Sequence, residues 1–274
     1  MKTLVLHSLE TSAAKKLALE LRGEIEVRKS HFRIHTKKDF DIENFRLSNN
    51  FDLNIFDNNF DYQNIKLMVS DMDSTLITVE TIDEVAKEVG LKDEISLITE
   101  AAMKGHLDFT ESFKKRLSIL KGVSNSSFES VYNKKVEFSP GAKVLIEYFK
   151  SNQIRTAVVS GGLSFFAKKL QSQLGIDNCR ANNVEIINQS ITGNVIGNVI
   201  DAKEKAKYID ELCDQYKLKN NQVIAIGDGA NDIEMMKVAG LSVAYHAKPI
   251  LKQYCDIQIN YGSLASLIDF FVDA

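Results

Sequence analysis

The first apolar run of the chain, TLVLHS, predicts a strand. Behind it, SAAKKLALELRG repeats its apolar residues every three or four positions, the rhythm of an amphipathic helix closed by Gly23. EIEVRKS and HFRIHTK then alternate like paired strands. A further strand, DLNIF, lies between Asn and Asp turn signals. Residues 1–63 therefore predict a small α/β module, ending in a connection rich in Asn, Asp and Phe.

From residue 64 the pattern changes. The runs IKLMVS, IRTAVVS, QVIAIG and LSVAYH are dense in β-branched residues and show no polar face. Such strands belong in a parallel sheet whose two sides are covered by helices. The first three end in DMDST, SGG and GDGAND. Ligands of open parallel sheets bind beyond the carboxyl ends of the strands, so these signatures are expected to converge on one crevice. The connection between the first two of these strands is far longer than an ordinary crossover. Its first part, roughly 79–135, reads as helical and predicts a cap inserted over the crevice. A second interruption, NNVEIINQSITGNVIGNVI, predicts a hairpin turning at NQS. The expected fold is α/β: a Rossmann-like parallel sheet with an inserted helical cap over residues 64–274, plus the module at 1–63.

Composition narrows the function classes. The 274 residues are 44% hydrophobic and 26% charged, with a net charge of −3, as in ordinary globular proteins. Lysines are spread along the chain, so no nucleic-acid partner is indicated. Cys179, Cys213 and Cys255 are odd in number and far apart, which fits reduced thiols in a cytoplasm. MKTLVLHSLE is too short an apolar run for a signal peptide, and no stretch approaches the roughly 20 apolar residues of a membrane span. A soluble cytoplasmic protein with no membrane partner is expected.

Candidate chemistry sits at the strand ends. In DMDST, Asp71 and Asp73 bring two like charges together, which is costly unless a cation or a reaction uses them. Asp71 could attack a phosphoryl group while Asp73 protonates the leaving oxygen and later takes a proton from water. A Mg²⁺ ion between them would relieve the crowding. Turn or helix-capping aspartates are the rival reading, of equal standing for this segment alone. Ser160, Gly161 and Gly162 offer a hydroxyl and approachable N–H groups to phosphate, though an ordinary strand-to-helix turn explains the tripeptide better. DAKEKAKYIDEL carries Lys203, Lys205 and Lys207, which read first as a solvated helix face. In GDGAND, two glycines and two acids follow a buried strand, which fits cation binding by Asp228 with Asn231 and Asp232 in support. The five histidines show no metal spacing, so structural or surface roles are expected for them.

With these motifs in order, residues 65–260 resemble the haloacid dehalogenase (HAD) superfamily of aspartate-nucleophile phosphatases, and within it the phosphoserine phosphatase family. DMDSTLITVETIDEVA, AVVSGG, DAKEKA and AIGDGANDIEMMKVAGLSVAYHAKP all match. The resemblance implies Asp71 as nucleophile and Asp73 as acid and base. It implies Ser160, Gly161, Gly162, Lys205 and Asn231 around the phosphate. Asp71, Asp228 and the backbone carbonyl of Asp73 would hold Mg²⁺, with Asp232 behind them. On the cap, Glu80 would meet the ammonium of phosphoserine and Arg116 its carboxylate, with Met103 and Phe109 as apolar lining. From residues alone, Glu80 is a helix-start acid, Arg116 a surface cation, and Met103 and Phe109 cap core. The implied activity is hydrolysis of O-phospho-L-serine to serine and phosphate in serine biosynthesis. Alternatives are another small phosphorylated metabolite as substrate, or a non-catalytic sensor of serine or phosphoserine. For residues 1–63 the resemblance implies an ACT-like ligand-binding unit, with docking or homo-oligomer formation as the rival role.

Overall fold

The computed structural model describes residues 1–103 and 105–272, with the side chain of Met103 outside the description. Near the N-terminus, β1 (Lys2–Leu6) pairs antiparallel with both β3 (Phe32–Thr36) and β4 (Leu53–Phe56), and β2 (Glu24–Val27) extends the far side of β3. Alternation along β1 decides its two faces. Leu4 and Leu6 pack with Ala14, Leu17 and Leu21 of α1 (Thr11–Leu21), while Val5 joins the core of the larger sheet. The last turn of α1 is closed by Arg22 in the left-handed region (φ 48°), not by Gly23 as the sequence suggested. A short helix, α2 (Ile42–Leu47), escaped the sequence reading because none of its residues is buried, so no apolar stripe betrays it.

The larger sheet has seven strands. In chain order these are β5 (Leu67–Ser70), β6 (Arg155–Leu163), β7 (Asn178–Ile187), β8 (Ser190–Ile196), β9 (Val223–Gly227), β10 (Leu241–Tyr245) and β11 (Ile257–Ile259). Their spatial order is β11-β10-β9-β5-β6-β7-β8, parallel throughout except for β8. The unbroken apolar runs follow from burial on both sides. Val69, Ala157 and Ala225 pack with Ile209 and Leu212 of α9 (Ala202–Tyr216) and Met235 of α10 (Ile233–Val238). Met68, Val158 and Ile224 face Phe149 of α7 (Ala142–Ser151) and Phe166 of α8 (Ser164–Leu174). A four-residue helix, α11 (Pro249–Lys252), separates β10 from β11. The hairpin forms where expected, turning at Asn188 and Gln189, both at positive φ.

Between β5 and α7 lie α3 (Thr81–Glu88), α4 (Lys92–Met103), α5 (Phe109–Ile119) and α6 (Asn125–Lys135), the helical insertion read from the sequence. α5 begins with a reciprocal cap between Asp108 and Glu111, which fixes the direction of Phe109.

The two sheets are joined by buried polar contacts. Asp52 accepts the backbone N–H groups of Asn260 at 2.6 Å and Gly262 at 2.7 Å. The Asn54 side chain pairs with the backbone of Gln258 in both directions, at 2.8 and 2.9 Å, along the outer side of β11. His7 lies 2.8 Å from the buried carboxylate of Asp269, which His31 also meets at 3.2 Å. These two histidines are thus structural, as expected. No described helix is long and apolar enough to cross a membrane.

Candidate active site

Three strand ends meet in one crevice, as their order in the sheet requires. β5 runs into Asp71, β9 into Asp228, and the last residues of β6 carry Ser160, Gly161 and Gly162. The tripeptide is not a plain turn: β6 stays extended to Leu163 through a break in register after Val159. Ser160 is buried, and its hydroxyl oxygen accepts the Gly162 N–H at 2.9 Å, leaving its own proton to donate. Buried Asn182 braces this segment, donating to the Gly161 carbonyl and accepting the Ile200 N–H, both at 2.8 Å.

Helical rhythm selects Lys205 from its neighbours. It lies on one face of α9 with Tyr208, Ile209 and Leu212, all buried, whereas Lys203 and Lys207 are exposed. That stripe was present in the sequence and could have singled out Lys205 unaided. Its ammonium sits 2.8 Å from Asp71 Oδ2 and 2.7 Å from Asp232 Oδ1. Burial works against the charge, but Asp232 and then Asp71 outweigh it and hold the group above the ordinary lysine value. Asp71 is fixed further by the Met72 N–H on Oδ1 (2.7 Å) and by Asn231 Nδ2 on Oδ2 (3.3 Å).

Among the described residues, Asp71, Asp228 and Asp232 are the one group of three close enough to share a cation, with oxygens within 4.8 Å of one another. Asp232 has little left to offer. Its Oδ2 accepts the N–H groups of Asp228 and Gly229, each at 3.1 Å, while Oδ1 holds Lys205. This approach also explains Gly227, where a Cβ would lie 2.4 Å from Asp232 Oδ2. Asp71 is held as fully, by Met72, Asn231 and Lys205, so Asp228 is the least engaged of the three, and the carboxylate of Asp73 stands outside the group. Burial, then the charges of Asp71 and Asp232, push Asp228 up to about 8. Oxygen-only donors with surplus buried negative charge fit a hard divalent cation such as Mg²⁺.

A consequence can be tested without turnover. A raised folded value means that ionising Asp228 weakens the fold as pH rises from about 4 towards 8. Asp228→Asn is therefore expected to melt higher than the parent at pH 8 in EDTA, and to lose the parent's gain on adding Mg²⁺. Thermal melts at pH 6 and pH 8 check both; an unaltered Mg²⁺ response would rule out Asp228 as a ligand.

Asp73 has a different environment. Burial first, then Glu80 and Asp71, raise it well above the ordinary carboxyl value. Its Oδ2 accepts the hydroxyl of buried Thr81 at 3.1 Å, and its buried Oδ1 has no partner. Thr81 was missed by the sequence reading, since a threonine at a helix start signals only a cap.

The cap completes the enclosure. Phe109 rests on Gly161, where a Cβ would lie 2.5 Å from its ring. Glu80 precedes α3 but makes no capping bond; it receives the Ser74 hydroxyl at 2.7 Å. Arg116 of α5 is not a surface cation: its Nε is buried and unpartnered. Burial lowers its affinity for a proton, and Asp83, Glu80 and Asp73 act against that. Met103 ends α4, and its side chain lies outside the described residues. Apart from that side chain, the crevice and the cap above it hold every residue singled out from the sequence.

Residues 68–237 match the family of haloacid dehalogenase-like hydrolases. The phosphoserine phosphatase of Polaromonas sp. (strain JS666) is 43% identical over 209 residues, 74% of this chain and 89% of its own. A haloacid dehalogenase family hydrolase from Salmonella enterica serovar Typhi superposes with a TM-score of 0.91 at 28% identity, covering 99% of this chain and 98% of its own. A phosphoserine phosphatase solved as a phospho-aspartyl intermediate analogue has a TM-score of 0.70 at 37% identity, covering 76% of this chain and 99% of its own.

Proposed function

The chain belongs to the haloacid dehalogenase-like hydrolases, and on that premise we propose that it is a cytoplasmic phosphoserine phosphatase with Asp71 as nucleophile. The observation that carries the reading is the unlike surroundings of two neighbouring acids. Asp71 is paired with Lys205 at 2.8 Å, while burial, Glu80 and Asp71 raise Asp73, which keeps one oxygen unengaged. Environments that drive two carboxyls apart assign them different tasks.

In the first step an Asp71 oxygen bonds to phosphorus as the bond from phosphorus to the serine oxygen breaks. Asp73 gives its proton to that leaving oxygen. In the second step water attacks the acyl phosphate and yields a proton to Asp73, and the bond to Asp71 breaks. Lys205, the Ser160 hydroxyl and the N–H groups beside Gly161 and Gly162 neutralise and orient the phosphoryl oxygens. Asp71, Asp228 and the Asp73 carbonyl would hold Mg²⁺, which supplies further neutralisation of phosphoryl charge when bound. Glu80 and Arg116 meet the ammonium and carboxylate of serine, and Phe109 excludes water.

The test is phosphate release over O-phospho-L-serine, O-phosphoethanolamine, 3-phosphoglycerate and glucose 6-phosphate, with and without EDTA. Phosphoserine is expected to be turned over best, with activity lost in EDTA and recovered with Mg²⁺ but poorly with Ca²⁺, whose ligands are more numerous and more distant. Equal turnover of the sugar phosphate would sink the substrate assignment. Binding of phosphoserine without phosphate release would favour a sensor.

Thr81 gives a finer test of the roles. Its hydroxyl bond favours ionised Asp73, so Thr81→Val raises Asp73 further. The alkaline limb of the first step, which needs Asp73 protonated, is expected to move up by about 1 pH unit, the worth of one hydrogen bond to a charged group. Rapid-quench measurement of the first turnover across pH reads this; an unmoved limb assigns the proton to another group.

A further inference from the structure

The pairing of β6 with β7 breaks at the phosphate seat. Val159 stands opposite Arg180 and the next pair is Leu163 with Asn182, so Ser160, Gly161 and Gly162 bulge against Ala181 alone. Inside this break a side chain takes over from the backbone. Asn182, fully buried, donates from Nδ2 to the Gly161 carbonyl at 2.8 Å. Its Oδ1 accepts the N–H of Ile200, also at 2.8 Å. The reverse orientation would set N–H against N–H and oxygen against oxygen, so the amide has one way to sit. Ile200 directly precedes Asp201, the cap of α9, the helix that carries Lys205.

A trans peptide is planar and presents its C=O and N–H in opposite directions. The peptide joining Gly161 to Gly162 therefore receives Asn182 on one side and gives its N–H to Ser160 Oγ on the other, at 2.9 Å. That bond occupies a lone pair of the hydroxyl, and hydrogen bonds in a chain strengthen one another. We infer that Asn182 is a positioning residue for the phosphoryl step. By fixing this peptide it holds the Ser160 oxygen as an acceptor, and so reserves the Ser160 proton for the phosphoryl group. Its bond to Ile200 also ties the seat to the start of the helix of Lys205, so one amide spaces two side chains that answer phosphoryl charge. The inference rests on the phosphatase reading and deepens it, whichever ester is the substrate. Asn182 touches no reacting atom.

The experiment is a double-variant cycle of Asn182→Ala and Ser160→Ala. It is read as kcat/KM on O-phospho-L-serine and as inhibition by inorganic phosphate, which probes the seat without chemistry. Alone, Asn182→Ala is expected to lower kcat/KM about tenfold and to weaken phosphate inhibition by a similar factor, the scale of one buried hydrogen bond. Added to Ser160→Ala it should cost less than about threefold, because the hydroxyl it served is gone. The isosteric Asn182→Asp supplies the test if the alanine variant does not fold. Only a protonated carboxyl can donate to the Gly161 carbonyl, so the deficit of this variant against the parent should grow as pH rises from about 5 to about 8. Equal losses with and without the Ser160 hydroxyl, or a deficit of Asn182→Asp that ignores pH, would overturn the inference. Unchanged kinetics of both Asn182 variants beside an active parent would refute it alone. A parent that releases no phosphate from any ester would instead bring down the phosphatase reading, and this inference with it. Circular dichroism melts of each variant separate a folding defect from a lost contact.

Discussion

Asp71→Asn is expected to abolish phosphate release while the protein stays folded. An amide fills the same space and can still accept the Met72 N–H, but it cannot form the acyl phosphate. Removing a nucleophile of this kind costs about 10⁵-fold or more in kcat. The fold should survive because Lys205 keeps Asp232 at 2.7 Å, and because one of several crowded negative charges is gone. Initial rates on phosphoserine and a far-ultraviolet melt check the two halves of the expectation. Mass spectrometry of acid-quenched parent enzyme should find the phosphoryl group on Asp71 and none in the variant. Appreciable turnover by a verified Asp71→Asn preparation would end the proposed mechanism.

Lys205→Met is the second large effect, and it reaches stability as well as rate. The lysine is fully buried and answers two buried carboxylates. Methionine fills much the same volume and leaves both acids uncompensated. Removing one partner of a buried ion pair costs about 3–5 kcal/mol, which for a chain of this size lowers Tm by roughly 10 °C. Because the folded value of Lys205 lies above the ordinary one, its contribution is complete below the ordinary lysine pKa and is lost only as pH rises past the folded value. The destabilisation should therefore be present across neutral pH. Adding Asp232→Asn to Lys205→Met should recover part of the lost Tm and none of the activity. Melting and rate measurements on the single and double variants test this. A single variant that melts with the parent would show that the triad needs no buried cation.

Much of this site was legible in the chain because its chemistry is local. An acid doublet, a serine with two glycines, and an acid between glycines each follow an apolar run, and the parallel sheet gathers such ends by construction. Lys205 was legible too, through its spacing from Tyr208, Ile209 and Leu212. Other features depend on partners that no local pattern records. Arg116 reads as a surface cation, and nothing around it in the chain marks the burial of its Nε. Thr81 looks like any helix-start threonine until Asp73 is set beside it. α2 buries no residue, and β11 has only three, too few to show a rhythm. The link from Asp52 and Asn54 to residues 258–262 joins segments about 200 positions apart. Such pairings follow from the whole fold.

That link has a meaning beyond holding two sheets in place. β11 is the outermost strand on its side, and its free backbone groups would otherwise offer a template to strands of neighbouring molecules. The amide of Asn54 plugs this rim, imitating a further strand with a single side chain. Whatever else residues 1–63 contribute, their Asn54 occupies the outward backbone groups of Gln258, the place on this border where a strand of another molecule would pair.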